Sequence, residues 1–152
     1  MDELKLPGEV SWSKNAAGSP EVGNFCATTP LSAPNMTTFF VAHRLVTLCR
    51  EGLFLDAQME LMTDDCVQLE PATSNAENAS GREAIQAKEW RLQTNILERH
   101  SIIISEPTIV GAFFCVTMHF DLTLRDRGRV QLAELIVYEV REGKIVCEQF
   151  FY

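Results

Sequence analysis

At 152 residues and 46% hydrophobic, the chain is long and apolar enough for one domain with a buried core. A net charge of −8 argues against a nucleic-acid partner, which selects clustered Lys and Arg, and no apolar run approaches the about 20 residues of a membrane span. Cys26, Cys49, Cys66, Cys115 and Cys147 are odd in number, widely spread and without C-x-x-C spacing. They read as buried free thiols, not as a disulfide frame or a zinc site.

Met1 to Val10 carries acids and lacks the basic-then-apolar layout of a signal peptide, so the expectation is a cytoplasmic protein. Residues 1–35 are rich in Pro, Gly, Ser, Asn and Ala without sustained periodicity and read as a flexible N-terminal arm. Trp12 and Phe25 are its large apolar groups, available to dock on the domain or on a partner. Met36 stands where order should begin, and residues 36–152 read as the domain.

Thr37 and Thr38 are placed to cap a first helix running to about Glu51, with Val41, Leu45, Leu48 and Cys49 at helical spacing and Gly52 as its stop. A short second helix over Leu53 to Met62 carries Phe54, Ala57 and Leu61 on one stripe. Asp64-Asp65 reads as a turn into a strand from Cys66 to Glu70, which Pro71 stops. After a polar loop, Ser80 and Glu83 form a capping box for a third helix to about Ile96. Ile85, Leu92 and Ile96 mark its apolar stripe, with Trp90 beside it.

Four strands follow, Leu97 to Ser105, Ile109 to Leu124, Val130 to Arg141 and Lys144 to Tyr152, with turn signals at Asp126-Arg127-Gly128 and Glu142-Gly143. Helices first and an antiparallel meander after them predict an α+β fold, with about three helices packed on one face of a curved sheet. Reading every second residue puts Met118 and Phe120, then Glu134, Ile136 and Tyr138, then Glu148, Phe150 and Tyr152, on one face. Carboxylates among such neighbours cost several kcal/mol unless they are paired, hydrogen-bonded or facing a cavity. If Arg141 to Gly143 closes the last hairpin, Ile136 falls near Glu148, and Glu134 lies opposite Phe150 and diagonal to Glu148. Diagonal neighbours are about 7 Å apart, close enough to drive two pKa values apart.

The passages Glu60-Leu-Met-Thr-Asp-Asp-Cys-Val-Gln-Leu-Glu-Pro71, Ser80-Gly-Arg-Glu-Ala-Ile85 and Tyr138-Glu-Val-Arg-Glu-Gly-Lys-Ile-Val146, in this order and spacing, resemble the nuclear transport factor 2-like superfamily and, within it, the SnoaL-like proteins. The resemblance spans about Met36 to Tyr152. It implies a cystatin-like cone whose sheet wraps the helices around a mostly apolar cavity. Ketosteroid isomerases of this fold carry a general-base Asp before a Pro at the end of the first strand, where this chain has Glu70 before Pro71. Their protonated oxyanion-donor Asp on the meander finds its counterpart in Glu134. The Tyr of their first helix corresponds here to Leu45. SnoaL-type cyclases also use a cavity carboxylate as acid and base, a part that Glu70, Glu134 or Glu148 can fill.

The leading expectation is a small cofactor-independent enzyme doing carboxylate proton transfer, an isomerase, cyclase or dehydratase, on a hydrophobic carbonyl-bearing molecule. Glu70 or Glu148 would be the base and Glu134 the neutral acid, with Tyr138 and Tyr152 donating their hydroxyls. Met118, Phe120, Phe150 and Trp90 would supply apolar walls, and His100 can point inward. Each group also has a plainer reading: Glu70 as a solvated strand end, Glu134 as a hydrogen-bonded structural acid, Glu148 as a frayed or interface residue, and the tyrosines as core packing. His119 and Asp121 belong to the opposite face, toward solvent or a second subunit, and His43 reads as structural. The alternative is a non-catalytic ligand-binding or dimerisation module of the same fold. A homodimer is expected, because Phe113, Cys115, Leu135, Val137 and Phe151 make the outer face too apolar for water.

Overall fold

Helix α1 (Met36–Arg50) buries Val41, Ala42, Leu45, Val46, Leu48 and Cys49, the stripe set by spacings of three and four. It ends in a Schellman motif: Gly52, at φ +77°, donates its N–H to the Cys49 carbonyl at 3.0 Å, and Leu53 donates to Leu48 at 2.9 Å. The structure, a computed structural model, describes residues 36–152. The arm with Trp12, Phe25 and Cys26 lies outside the described residues. Thr37 and Thr38 are within the first turn of α1 and do not precede it as caps; Thr38 is fully buried.

Helix α2 (Phe54–Leu61) turns inward Ala57, Gln58 and Leu61. It runs directly into β1 (Met62–Leu69), whose pairing shifts between Met62 and Val67. Asp64-Asp65 therefore sits in an irregular stretch of strand and makes no turn. Ser80 does not cap the next helix either. It belongs to the two-residue β2 (Ala79–Ser80), opposite Val67, and the N-cap of α3 (Arg82–Asn95) is Gly81 at φ +89°, without a side-chain cap.

The meander begins with β3 (Ile96–Ile104). The long strand expected over 109–124 is two strands, β4 (Thr108–Val110) and β5 (Phe113–Leu124), with Gly111 at φ +60° folding β4 back onto β5. β6 (Gly128–Arg141) and β7 (Lys144–Phe151) follow. Their two-residue turn has positive φ at both Glu142 and Gly143, as a type I′ hairpin requires. The turn pairs Arg141 with Lys144, one residue beyond the expected closure, and a shift between Glu139 and Val140 adds one more, so the register stands two residues from the expected one. Tyr138 faces Glu148, and Ile136 faces Phe150.

The sheet order is β2-β1-β7-β6-β5-β3, antiparallel except for the parallel β1–β7 pair, and its ends do not close. The three helices lie on one face of this curved sheet, so the α+β cone holds. The opposite face carries His119 and the Asp121–Arg129 ion pair at 2.8 Å. Phe113, Leu135 and Phe151 are exposed, while Cys115 and Val137 are half-buried. Cys49 and Cys66 are buried free thiols, and Cys115 and Cys147 are free but only half-buried. Among the described residues no helix is long and apolar enough to cross a membrane.

Candidate functional site

Alternation along β1, β5, β6 and β7 aims one set of side chains at the helices, and where the helices do not fill the concavity a cavity of about 340 Å³ remains. Its polar residues fall into an inner and an outer group. The inner group is a rung across three strands: Tyr138 pairs with Glu148, and Glu148 with Gln68. Glu148 is 3% exposed, and its Oε1 accepts a 2.7 Å hydrogen bond from Gln68 Nε2. Burial pushes this carboxyl up to about 7, with the Gln68 bond pulling the other way. Tyr138, also 3% exposed, stacks on Phe114 at 4.7 Å, and burial holds its hydroxyl well above the ordinary range.

The next rung, Ile136 with Phe150, is apolar. Beyond it the outer group begins with Glu134, paired with Met118 across β5. Glu134 is half-buried and lines the cavity, and among the described residues no hydrogen-bond donor meets its carboxyl. Burial first, then the negative charge of Glu70, push it up to about 7. Glu70 itself is committed on both oxygens. Oε1 pairs with Lys88 Nζ, and Oε2 accepts the Tyr152 hydroxyl at 2.8 Å, while Ser74 Oγ lies 2.7 Å from the same hydroxyl. With a side chain only 7% exposed, Glu70 is not the solvated strand end considered from sequence.

The register shift corrects the expected pairing of acids. Glu134 and Glu148 are not diagonal neighbours, because the Ile136–Phe150 rung stands between them. Four residues of strand separate Glu134 from Tyr138, about 13 Å. The charges that oppose ionisation of Glu134 come from Glu70, at a different strand end, and then from Glu89 on α3.

Glu70, Glu134, Glu148, Tyr138, Tyr152, Met118, Phe120 and Phe150 all line the cavity. Trp90 and His100 do not. Trp90, 60% exposed, is five residues from Ile85 and so off the apolar stripe of α3. His100 lies on the outer face of β3, its Nε2 2.8 Å from Thr123 Oγ1. Sequence reasoning missed Gln58, Gln68, Lys88 and Glu89, which also line the cavity. Their spacing carried the signal: Gln68 alternates with Glu70, Gln58 follows Ala57 on the α2 stripe, and Glu89 stands four after Ile85 and three before Leu92. Burial raises the Glu89 carboxyl too. Leu45 lines the cavity, so α1 offers no hydroxyl at that position. Among the described residues no three His, Cys, Asp or Glu side chains are placed to hold a metal ion.

Residues 36–152 match the SnoaL-like domain family. The chain belongs to the SnoaL-like family. A solved structure described as a SnoaL-like polyketide cyclase, or carbohydrate phosphatase, from Mesorhizobium loti is similar at 29% identity and a TM-score of 0.70, covering 75% of this chain and 97% of that one. An NTF2-like protein of unknown function from Burkholderia pseudomallei shares the fold at 13% identity and TM-score 0.62, over 76% and 90% of the two chains. A protein described as an isomerase from Bacillus subtilis does so at 17% and 0.59, over 78% and 87%. Comparison with curated protein sequences returns no match. The fold is thus shared with proteins described as cyclase and isomerase.

Proposed function

We propose that this SnoaL-like protein is a cofactor-independent enzyme that moves a proton on a hydrophobic, carbonyl-bearing small molecule. The observation that carries the reading is Glu134: an acid without a hydrogen-bond partner among the described residues, in a mostly apolar cavity, raised by burial to about 7. A group whose pKa matches ambient pH serves best as both base and acid. Met118, Phe120, Ile136 and Phe150 exclude water from the reacting carbon. The Lys88 ammonium is paired with Glu70 Oε1 and bonded to the Glu77 carbonyl, which among the described residues leaves one N–H free to polarise the substrate carbonyl as negative charge develops. The Tyr152 hydroxyl, donating to Glu70 Oε2, steadies that carboxylate at the same end of the cavity. Isomerisation, cyclisation and dehydration all begin with such a step.

The test is deuterium exchange at the α-carbon of an apolar ketone, 2-tetralone, in D₂O. The protein is expected to speed exchange above the buffer rate, with the rate rising through pH 7 as Glu134 ionises. Buffer-level exchange across pH 5 to 9 favours a ligand-binding module without chemistry.

A further inference from the structure

The inner rung is more polar than a site for a purely apolar ligand needs. Gln68 is 6% exposed and Gln58 8% exposed, and both line the cavity. The Nε2 of Gln68 is used on Glu148, but its Oε1 meets no donor. Among the described residues, the Gln58 side-chain amide makes no hydrogen bond at all, and its Oε1 is fully enclosed. Buried carbonyl oxygens are almost always met by a donor, from protein, water or ligand. Two such oxygens, in the cavity that Glu148 and Tyr138 also line, describe a built receptor for a small polar head.

We propose that the inner end of the cavity is a hydroxyl subsite, where Gln58, Gln68, Glu148 and Tyr138 hold the leading hydroxyl of an elongated apolar ligand. A hydroxyl both donates and accepts. It can give its hydrogen to a glutamine oxygen and take one from neutral Glu148, so it suits this set where a bare carbonyl leaves both glutamine oxygens unmet. A cation fits less well, because Lys88 sets a positive charge near the same carboxyl. The length of the ligand follows from the strand: about 13 Å of β6 separates the rung from Glu134. A hydroxyl at one end and the reacting carbon at the other is the matching shape. The far end rests on the proton-transfer reading; the hydroxyl subsite does not.

The test compares 4-hydroxybiphenyl with 4-methylbiphenyl, which exchanges the hydroxyl for a methyl of similar size, by the fluorescence of the bound ligand on the full chain. The hydroxyl compound should bind about tenfold more tightly, the worth of one or two neutral hydrogen bonds. That preference should fall below about threefold, again the scale of a lost bond, in Gln58→Leu or in Gln68→Leu. Gln58→Leu removes no bond that the described fold uses, so it keeps the test sound if Gln68→Leu fails to fold. Equal binding of both probes, as when water alone fills the rung, overturns the subsite. So does binding of neither, or a preference kept in both variants. Binding is read without turnover: a protein selective for the hydroxyl yet inert in deuterium exchange keeps the subsite and loses the proton-transfer reading, and the converse loses the subsite alone.

Discussion

Glu148→Gln should make the protein more stable at pH 8 by about 3 kcal/mol while leaving it nearly unchanged at pH 4. Burial raises the Glu148 carboxyl from its ordinary 4.5 to about 7, and each pH unit of that difference is worth about 1.4 kcal/mol. The sign follows from proton uptake. Below pH 4.5 the side chain is neutral in both the folded and unfolded chains, and the full contribution to stability is present. Between 4.5 and 7 the folded protein holds a proton that the unfolded chain has released, so stability is lost as pH rises through this window. Glutamine never ionises and keeps an amide beside Gln68, so it escapes the loss. Glu134 shifts in the same direction, but solvent reaches it and its share is smaller. Urea unfolding of both proteins from pH 4 to 8 reads the difference directly. A gap between variant and wild type that stays flat across that range would mean Glu148 is not held neutral by burial.

Glu134→Gln should lower the deuterium exchange of 2-tetralone by about 10² to 10⁴-fold, the usual worth of a positioned acid–base group. The substitution removes the one cavity acid that is neither ion-paired nor hydrogen-bonded within the described residues, and it conserves shape. Stability at pH 4, where the carboxyl is neutral in the folded chain and largely so in the unfolded one, should therefore be nearly unchanged. Retained exchange within threefold of wild type would take proton transfer away from this residue. The same variant should abolish the rise in rate through pH 7, which a merely structural role would leave in place.

Much of this arrangement was legible in the sequence, and the exceptions have specific physical causes. Alternation along β5, β6 and β7 correctly put Glu134, Tyr138 and Glu148 on the concave face, because period two is a property of the strand itself. Which residues face one another was not legible. Glu142-Gly143 announced the turn but not its closing pair, Arg141 with Lys144, and the bulge that follows at Glu139/Val140 has no strong local signature; together they moved the two acids a rung apart. Trp90 was drawn inward by its apolarity against its helical phase, and Glu89 was passed over by its charge despite being in phase. Ser80 had the composition of a cap, but β1 claimed it as a strand partner. The contact of Tyr152 with Glu70 depends on β7 lying parallel to β1, a pairing between ends of the domain that no local pattern encodes.

Site-resolved carboxyl titration by ¹³C NMR asks most directly whether the cavity keeps its acids out of bulk water. Glu134 and Glu148 should each titrate with a midpoint near 7, the value that burial gives both, and Glu148→Gln should remove one of the two transitions. Midpoints near the ordinary 4.5 for both would mean water reaches them freely, and the acid–base site would have no foundation.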